Sequence, residues 1–344
     1  MGRKKPNKSL IQQVKERLDS KLAIGQSKFA AKLDGTYTNY IFSWDTYRSY
    51  LKHACYFVKW CKDQPIDPVL GHKPHTLEEC RIFAERWVQS TMDRGLSAYT
   101  LKLEVASLAK LYGCCSSDFD IKTPARRRAN IKRSRGNAVR DKNFSVKENK
   151  DLITFCKCTG LRRAELEQIR GTDLIEHEGR LCIDIKRGTK GGRLRISPVV
   201  GSEEEIEIVK NLCAKAGGDR VFPKPSDNAD IHSFRAAYAQ RIYEQYKRDY
   251  SEYKNERIIL YKNKVYDTYI SKEGKRDVHR FPHLYKISGG RLKMAEGYRD
   301  IQTAYFCRID RKGTVYDRRA LLECSQALGH NRFDIIPSNY LYSQ

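Results

Sequence analysis

Ala320-Leu-Leu-Glu-Cys-Ser-Gln-Ala-Leu-Gly-His330-Asn-Arg-Phe-Asp-Ile-Ile-Pro-Ser-Asn-Tyr340 is the stretch around which this chain is organised. Leu321, Leu322, Ala327 and Leu328 are available for a core, which predicts a helix with an inward stripe, and Gly329 stops it. A short turn then delivers His330 and, ten residues on, Tyr340. Alone, a histidine and a tyrosine at that separation are two packed side chains. A set of basic residues upstream, each at an abrupt local boundary, changes how they read.

The whole chain is basic. Its 344 residues carry 66 Lys and Arg against 42 Asp and Glu, a formal net charge of +24 with a pI near 9.6. Such an imbalance repels itself unless a polyanion is the habitual partner, and nucleic acid is the first candidate, ahead of an anionic membrane surface. There is no long apolar run and no apolar segment after Met1-Gly-Arg-Lys-Lys. Neither a transmembrane helix nor a secretory signal is therefore expected, and the protein is placed in the cytosol with no membrane partner. An apolar content of 40% suffices for ordinary cores, and the length allows two domains. Eleven cysteines are scattered, odd in number and without C-x-x-C pairs, which reads as buried reduced thiols. No metal and no cofactor is expected.

Taken in order, Ser9 to Ile24 is amphipathic, with Leu10, Val14, Leu18 and Leu22 at helical spacing. Trp44 to Cys61 is a helix ended by Pro65 and Pro68, and Thr76 to Met92 is a second, opened by Thr76 and Glu79 as a capping box. Ser97 to Cys114 is a third, so the first 115 residues read as all-helical. From Lys122 to Lys147 the composition turns sharply basic, with Arg126, Arg127, Arg128, Lys132, Arg133 and Arg135 as candidate phosphate contacts. Ser145 then caps a helix running to Gly160. Leu181 to Ile185 and Arg193 to Val199 form a β-hairpin around Arg187-Gly-Thr-Lys190-Gly-Gly. Ile206 to Ala214 is helical, and His232-Ser-Phe-Arg235 opens a helix continuing to about Tyr246. The span from Tyr250 to Tyr316 is tyrosine-rich and basic, and ends in a hairpin, Ala304 to Ile309 with Thr314 to Tyr316.

Each basic residue has a plain reading by itself: Arg162 at a helix start, Lys190 at a hairpin tip, His232 as a cap, Arg235 as a partner for an acid. As an ordered set they supply what phosphodiester transesterification needs: a nucleophile, cations for the non-bridging oxygens and a proton donor for the departing hydroxyl. In that order the sequence resembles the tyrosine recombinase family, the phage-type integrases of bacterial mobile elements. The resemblance lies in Thr159-Gly-Leu-Arg162-Arg-Ala-Glu165-Leu166, in Thr189-Lys190-Gly-Gly-Arg193 leading to Pro198, in His232-Ser-Phe-Arg235, and in Leu328-Gly-His330 with Tyr340. Less specifically, Trp44-Asp-Thr-Tyr47 to Phe57-Val-Lys-Trp60 looks like the family's helical core-binding domain.

The resemblance implies that Arg162 and Arg235 hold the scissile phosphate, that Lys190 protonates the leaving 5′ oxygen, and that His232 and His330 hydrogen-bond the phosphate or the nucleophile. Glu165 would orient this cluster from behind, and Tyr340 would attack to give a 3′-phosphotyrosyl link without ATP or metal. It also implies an α+β fold: an all-α core-binding domain and a mixed α/β catalytic domain forming a C-shaped clamp on double-stranded DNA. The expected divisions are a short basic segment at 1–43, the core-binding domain at 44–121, a basic linker at 122–147 and the catalytic domain at 148–344, with 247–316 as an insertion. Expected partners are DNA, three further copies in a tetramer on paired sites, and accessory bending or directionality factors, all in the bacterial cytoplasm. Four residues follow Tyr340, where many relatives carry a longer segment that docks on a neighbouring protomer. Two alternatives share the chemistry or the fold: a type IB topoisomerase, and a non-catalytic architectural DNA-binding protein.

Overall fold

A computed structural model of the chain describes residues 8–127, 144–189, 192–288, 291–308, 311–330 and 332–341. The chain divides into two compact units, Met1–Ile131 and Lys132–Gln344. Arg128, Lys132, Arg133 and Arg135 of the linker, Lys190 and Tyr342 lie outside the described residues.

The first unit contains α1 (Leu10–Asp19), α2 (Lys28–Leu33), α3 (Trp44–Asp63), α4 (Leu77–Arg81), α5 (Ala84–Asp93) and α6 (Ala98–Tyr112). Ser9, Ser27, Ser43 and Ser97 precede α1, α2, α3 and α6, and each hydroxyl accepts a first-turn N–H that the helix itself cannot satisfy. The Thr76 and Glu79 capping box forms. The long helix expected behind it is broken by a turn at Ile82 and Phe83, and Phe83 at that turn is buried in the core. Leu10, Val14 and Leu18 of α1 share this core with Phe57, Val58 and Cys61 of α3 and with Leu108 and Leu111 of α6. A buried carboxylate there, Glu104, accepts from Trp87 Nε1 at 3.3 Å and has His53 Nδ1 2.7 Å away, which offsets the cost of leaving water.

The second unit mixes helix and sheet. In chain order it has α7 (Lys150–Thr159), α8 (Arg163–Leu166), β1 (Leu174–His177), β2 (Arg180–Ile185), β3 (Arg195–Pro198), α9 (Glu203–Ala216) and α10 (Ile231–Tyr246). After α11 (Tyr250–Tyr253) come β4 (Glu256–Tyr261), β5 (Lys264–Ile270), β6 (Tyr285–Ser288), β7 (Arg291–Met294), β8 (Tyr298–Gln302), β9 (Ala304–Phe306) and β10 (Val315–Asp317). It closes with α12 (Arg318–Ala327) and α13 (Ile335–Asn339). The hairpin expected from sequence is the edge of a three-stranded antiparallel sheet, β1-β2-β3, with Cys182 opposite Pro198 and Ile185 opposite Arg195. Strand β1 escaped the sequence reading because Leu-Ile-Glu-His is too short to show an alternating pattern.

The tyrosine-rich span folds as a small antiparallel sheet in the order β5-β4-β8, a hairpin β6-β7, and the ribbon β9-β10 that its sequence predicts, with Phe306 opposite Val315. Its interior is organised by Asp300, which is 3% exposed and accepts from Arg257 Nε at 2.7 Å, Tyr269 Oη at 2.8 Å and Tyr285 Oη at 2.9 Å. Three donors satisfy the carboxylate that burial takes out of water. Arg248 ties the base of this sheet to α12, donating to both oxygens of Glu256 on β4 and of Asp317, the N-cap of α12.

Candidate active site

Two helices end at the same place in the second unit. Helix α7 stops at Gly160, which adopts the left-handed conformation at φ 61°, and α12 stops at Leu328 before Gly329 at φ 64°. The last carbonyls of a helix have no intrahelical donor and carry the negative end of its dipole, so cations gather there. Arg235, the fifth residue of α10, donates through Nη1 to Gly160 O and through Nη2 to Leu328 O. Arg162, just before α8, donates through Nη2 to Leu328 O at 3.0 Å, and Arg195 on β3 donates through Nε to Ala327 O at 3.1 Å. Three guanidiniums thus cap two helix ends. Gly329 is required twice over, since a side chain there would meet the Arg195 guanidinium at about 3 Å as well as strain the backbone.

Glu165 holds two of these arginines. Its carboxylate accepts from Arg195 Nη1 and Nη2 at 2.7 Å each, from Arg162 Nη1 at 2.6 Å and from the Arg162 backbone N–H at 2.7 Å. Burial alone would raise the pKa of this acid, but the Arg195 and Arg162 charges and the backbone donor outweigh it and bring it down to about 2. Against three guanidiniums it is one negative charge, so the cluster stays net positive.

Tyr340 follows the short helix α13, and its ring is 9% exposed. Its hydroxyl accepts from Arg235 Nε at 3.3 Å and lies 3.0 Å from His330 Nε2. The His330 and His232 rings flank it, with centroids 5.6 and 5.4 Å from that of the tyrosine. Burial, and then the charges of Arg235, Arg162 and Arg195, push His330 down to about 4. At neutral pH the ring is therefore uncharged, and in the tautomer that carries its proton on Nδ1 the free Nε2 can accept a hydrogen bond from the Tyr340 hydroxyl. Arg235 is itself lowered to about 10 by burial, the Tyr340 oxygen opposing that and the other arginines adding to it, and it keeps its charge at neutral pH.

The structure brings together Arg162, Glu165, His232, Arg235, His330 and Tyr340. Lys190 lies in the connection between β2 and β3, outside the described residues. Lys186, four residues before Lys190 and an alternative to it as the proton donor by its distance from the Arg162 motif, pairs with Asp184 at 2.7 Å with its side chain 56% exposed. Of the linker arginines, Arg126 stacks over Tyr99 at 5.8 Å, and Arg126 and Arg127 are exposed. Sequence reasoning missed Arg195. Alternation in sequence points the wrong way here: Arg195 and Ser197 share one face of β3 and turn inward, while Leu194 and Ile196 are exposed. Ser197 Oγ donates to the same Ala327 carbonyl at 2.8 Å. Among the described residues no group of three His, Cys, Asp or Glu is placed to hold a metal ion, and no helix is long and apolar enough to cross a membrane.

The chain is similar to the Tn1549 transposon integrase. Residues 82–397 of that protein, solved in complex with circular intermediate DNA, match at a TM-score of 0.36 and 14% identity over 71% of this chain and 89% of that one. A variant of the same integrase with transposon right end DNA matches at a TM-score of 0.36 and 14% identity, over 70% and 88%. No protein-family model and no curated protein matches. With overlap at that level, the chemistry rests on the site's own geometry.

Proposed function

We propose that this protein is a site-specific DNA recombinase of a mobile genetic element, acting by strand cleavage and rejoining through a 3′-phosphotyrosyl intermediate. One observation carries the reading: a tyrosine hydroxyl lies within 3.3 Å of a buried guanidinium and 3.0 Å of a neutral histidine, beside two further arginines fixed by one acid. In this mechanism Arg162 and Arg235 hold the non-bridging oxygens of the scissile phosphate in line with Tyr340 Oη. The phenolic oxygen forms the new O–P bond as its proton passes to His330 Nε2. The 5′ oxygen leaves with its electron pair and takes a proton, for which Lys190 is assigned. His232 steadies the phosphate or the phenol from the other side. Reversal with the 5′ hydroxyl of a second strand breaks the phosphotyrosyl bond and reseals DNA, so the bond energy is conserved and neither ATP nor a metal enters.

Double-stranded DNA is the substrate, the basic linker a source of unspecific affinity, and a homo-tetramer on paired sites the working assembly. The test is incubation with nicked suicide duplexes carrying candidate ends of the mobile element, from which the cleaved strand diffuses away. A covalent protein-DNA adduct that Tyr340→Phe abolishes is expected. No adduct on any end would overturn the reading, and equal relaxation of a supercoiled plasmid lacking those ends would point to a topoisomerase instead.

A further inference from the structure

The segment carrying Tyr340 is gripped by a part of the chain that phosphate attack does not use. Arg311, beside the tip of the β9-β10 ribbon, donates through Nη2 to the carbonyl of Pro337 and through Nη1 to that of Leu341. One guanidinium therefore spans carbonyls on both sides of Tyr340. Nη1 also reaches Tyr316 Oη of β10 at 2.8 Å, and that hydroxyl donates to the same Leu341 carbonyl at 3.0 Å. Further back, Phe333 meets Tyr305 of β9 edge-on with centroids 6.0 Å apart, and the Arg318 guanidinium lies over both rings, at 4.9 and 5.3 Å. Three side chains of the ribbon, at Tyr305, Arg311 and Tyr316, thus meet the turn that bears Tyr340.

That turn needs outside support. Helix α13 has five residues, far fewer than a helix needs to persist alone, and Pro337 within it lacks a backbone donor. We infer that Arg311 is a positioning residue, which with Tyr316 holds the Tyr340 hydroxyl against Arg235 and His330 within the same chain. The ribbon of the inserted region then has a task in catalysis: it makes the active site complete in one protomer. This rests on Tyr340 being the nucleophile, and it extends that reading to a region outside the four motifs. A reacting hydroxyl displaced by about 1 Å costs on the order of a hundredfold in rate, which sets the size of the effect.

The experiment is Arg311→Ala in the full chain, read in two ways. Hydrogen exchange reports the hold directly, because the amides of Tyr340 and Leu341 both donate to Ile336 O, at 2.9 and 3.1 Å. These amides are expected to exchange faster in the variant. Adduct formation on the suicide duplex is expected to slow on the order of a hundredfold, with DNA affinity unchanged and with the rate partly restored by millimolar guanidinium, which refills the vacated site. Tyr316→Phe, which keeps the ring, should slow adduct formation less, and should add little to Arg311→Ala. A wild-type adduct rate in Arg311→Ala, or a slow rate with weakened DNA binding and no guanidinium rescue, overturns the inference. An absence of adduct from the wild-type chain overturns the recombinase reading, and unchanged exchange then overturns the hold as well.

Discussion

Arg195 meets Glu165 end-on, each of its two terminal nitrogens 2.7 Å from a different oxygen of one carboxylate, although 30 residues separate them. Both side chains are buried, and Arg162 completes the group. Removing one partner leaves charge buried without compensation, so Glu165→Gln should destabilise the protein by about 3–5 kcal/mol, measured by urea unfolding. The pH dependence has a definite sign. With its pKa lowered from 4.5 to about 2, Glu165 contributes stability that is fully present above about pH 4.5 and lost as the pH falls through 2. The wild type should therefore lose stability across that window more steeply than Glu165→Gln; parallel curves would sink the assignment.

His330 should be neutral well below the usual range of a histidine. In the DNA-free protein its ring is expected to titrate by NMR near 4 rather than 6.5, and Arg235→Ala, which removes the largest opposing charge, should move it upward. Because the folded value is depressed, the associated stability is present above 6.5 and declines as the pH falls through 4. A ring that titrates near 6.5 in the folded wild type would contradict the neutral acceptor.

Tyr340→Phe should bind DNA as the wild type does and form no covalent adduct, whereas Tyr342→Phe should retain it. Mass spectrometry of a digested adduct should place the phosphate on Tyr340. Finding it on Tyr342, or on a tyrosine of residues 247–316, would reassign the nucleophile.

Lys190→Ala should cleave slowly and be rescued by a substrate with a 5′-bridging sulfur, because a thiolate leaves without a proton. Lys186 already pairs with Asp184, and its replacement should give no such rescue. If Lys186→Ala is the variant that the sulfur rescues, the proton donor is Lys186.

Replacing Arg126, Arg127 and Arg128 by Ala should flatten the salt dependence of DNA binding by about one unit of log-log slope for each phosphate that is no longer neutralised. Sequence preference should be little altered, since such charges carry no base information. An unchanged slope would remove the linker from the interface.

Much of the secondary structure was legible because it depends on near neighbours. Ser97 opens its helix, Thr76 with Glu79 forms its box, and Gly160 and Gly329 end helices at a left-handed turn. The ordered motifs also singled out Arg162, Glu165, His232, Arg235, His330 and Tyr340, because each stands beside a local boundary that sequence can show.

Other features were decided only by tertiary structure. Alternation on β3 would bury Leu194 and Ile196, yet the chain exposes them and turns Arg195 and Ser197 inward, because Glu165 and the end of α12 supply partners from 30 and 132 residues away. Arg311 reads in sequence as one more charge at a hairpin tip; its use comes from carbonyls 26 and 30 residues later. Caps, turns and periodicity are written in neighbouring residues, so the sequence alone carries them. A guanidinium has no intrinsic preference among carboxylates and helix ends, and only the packed chain determines which one it meets.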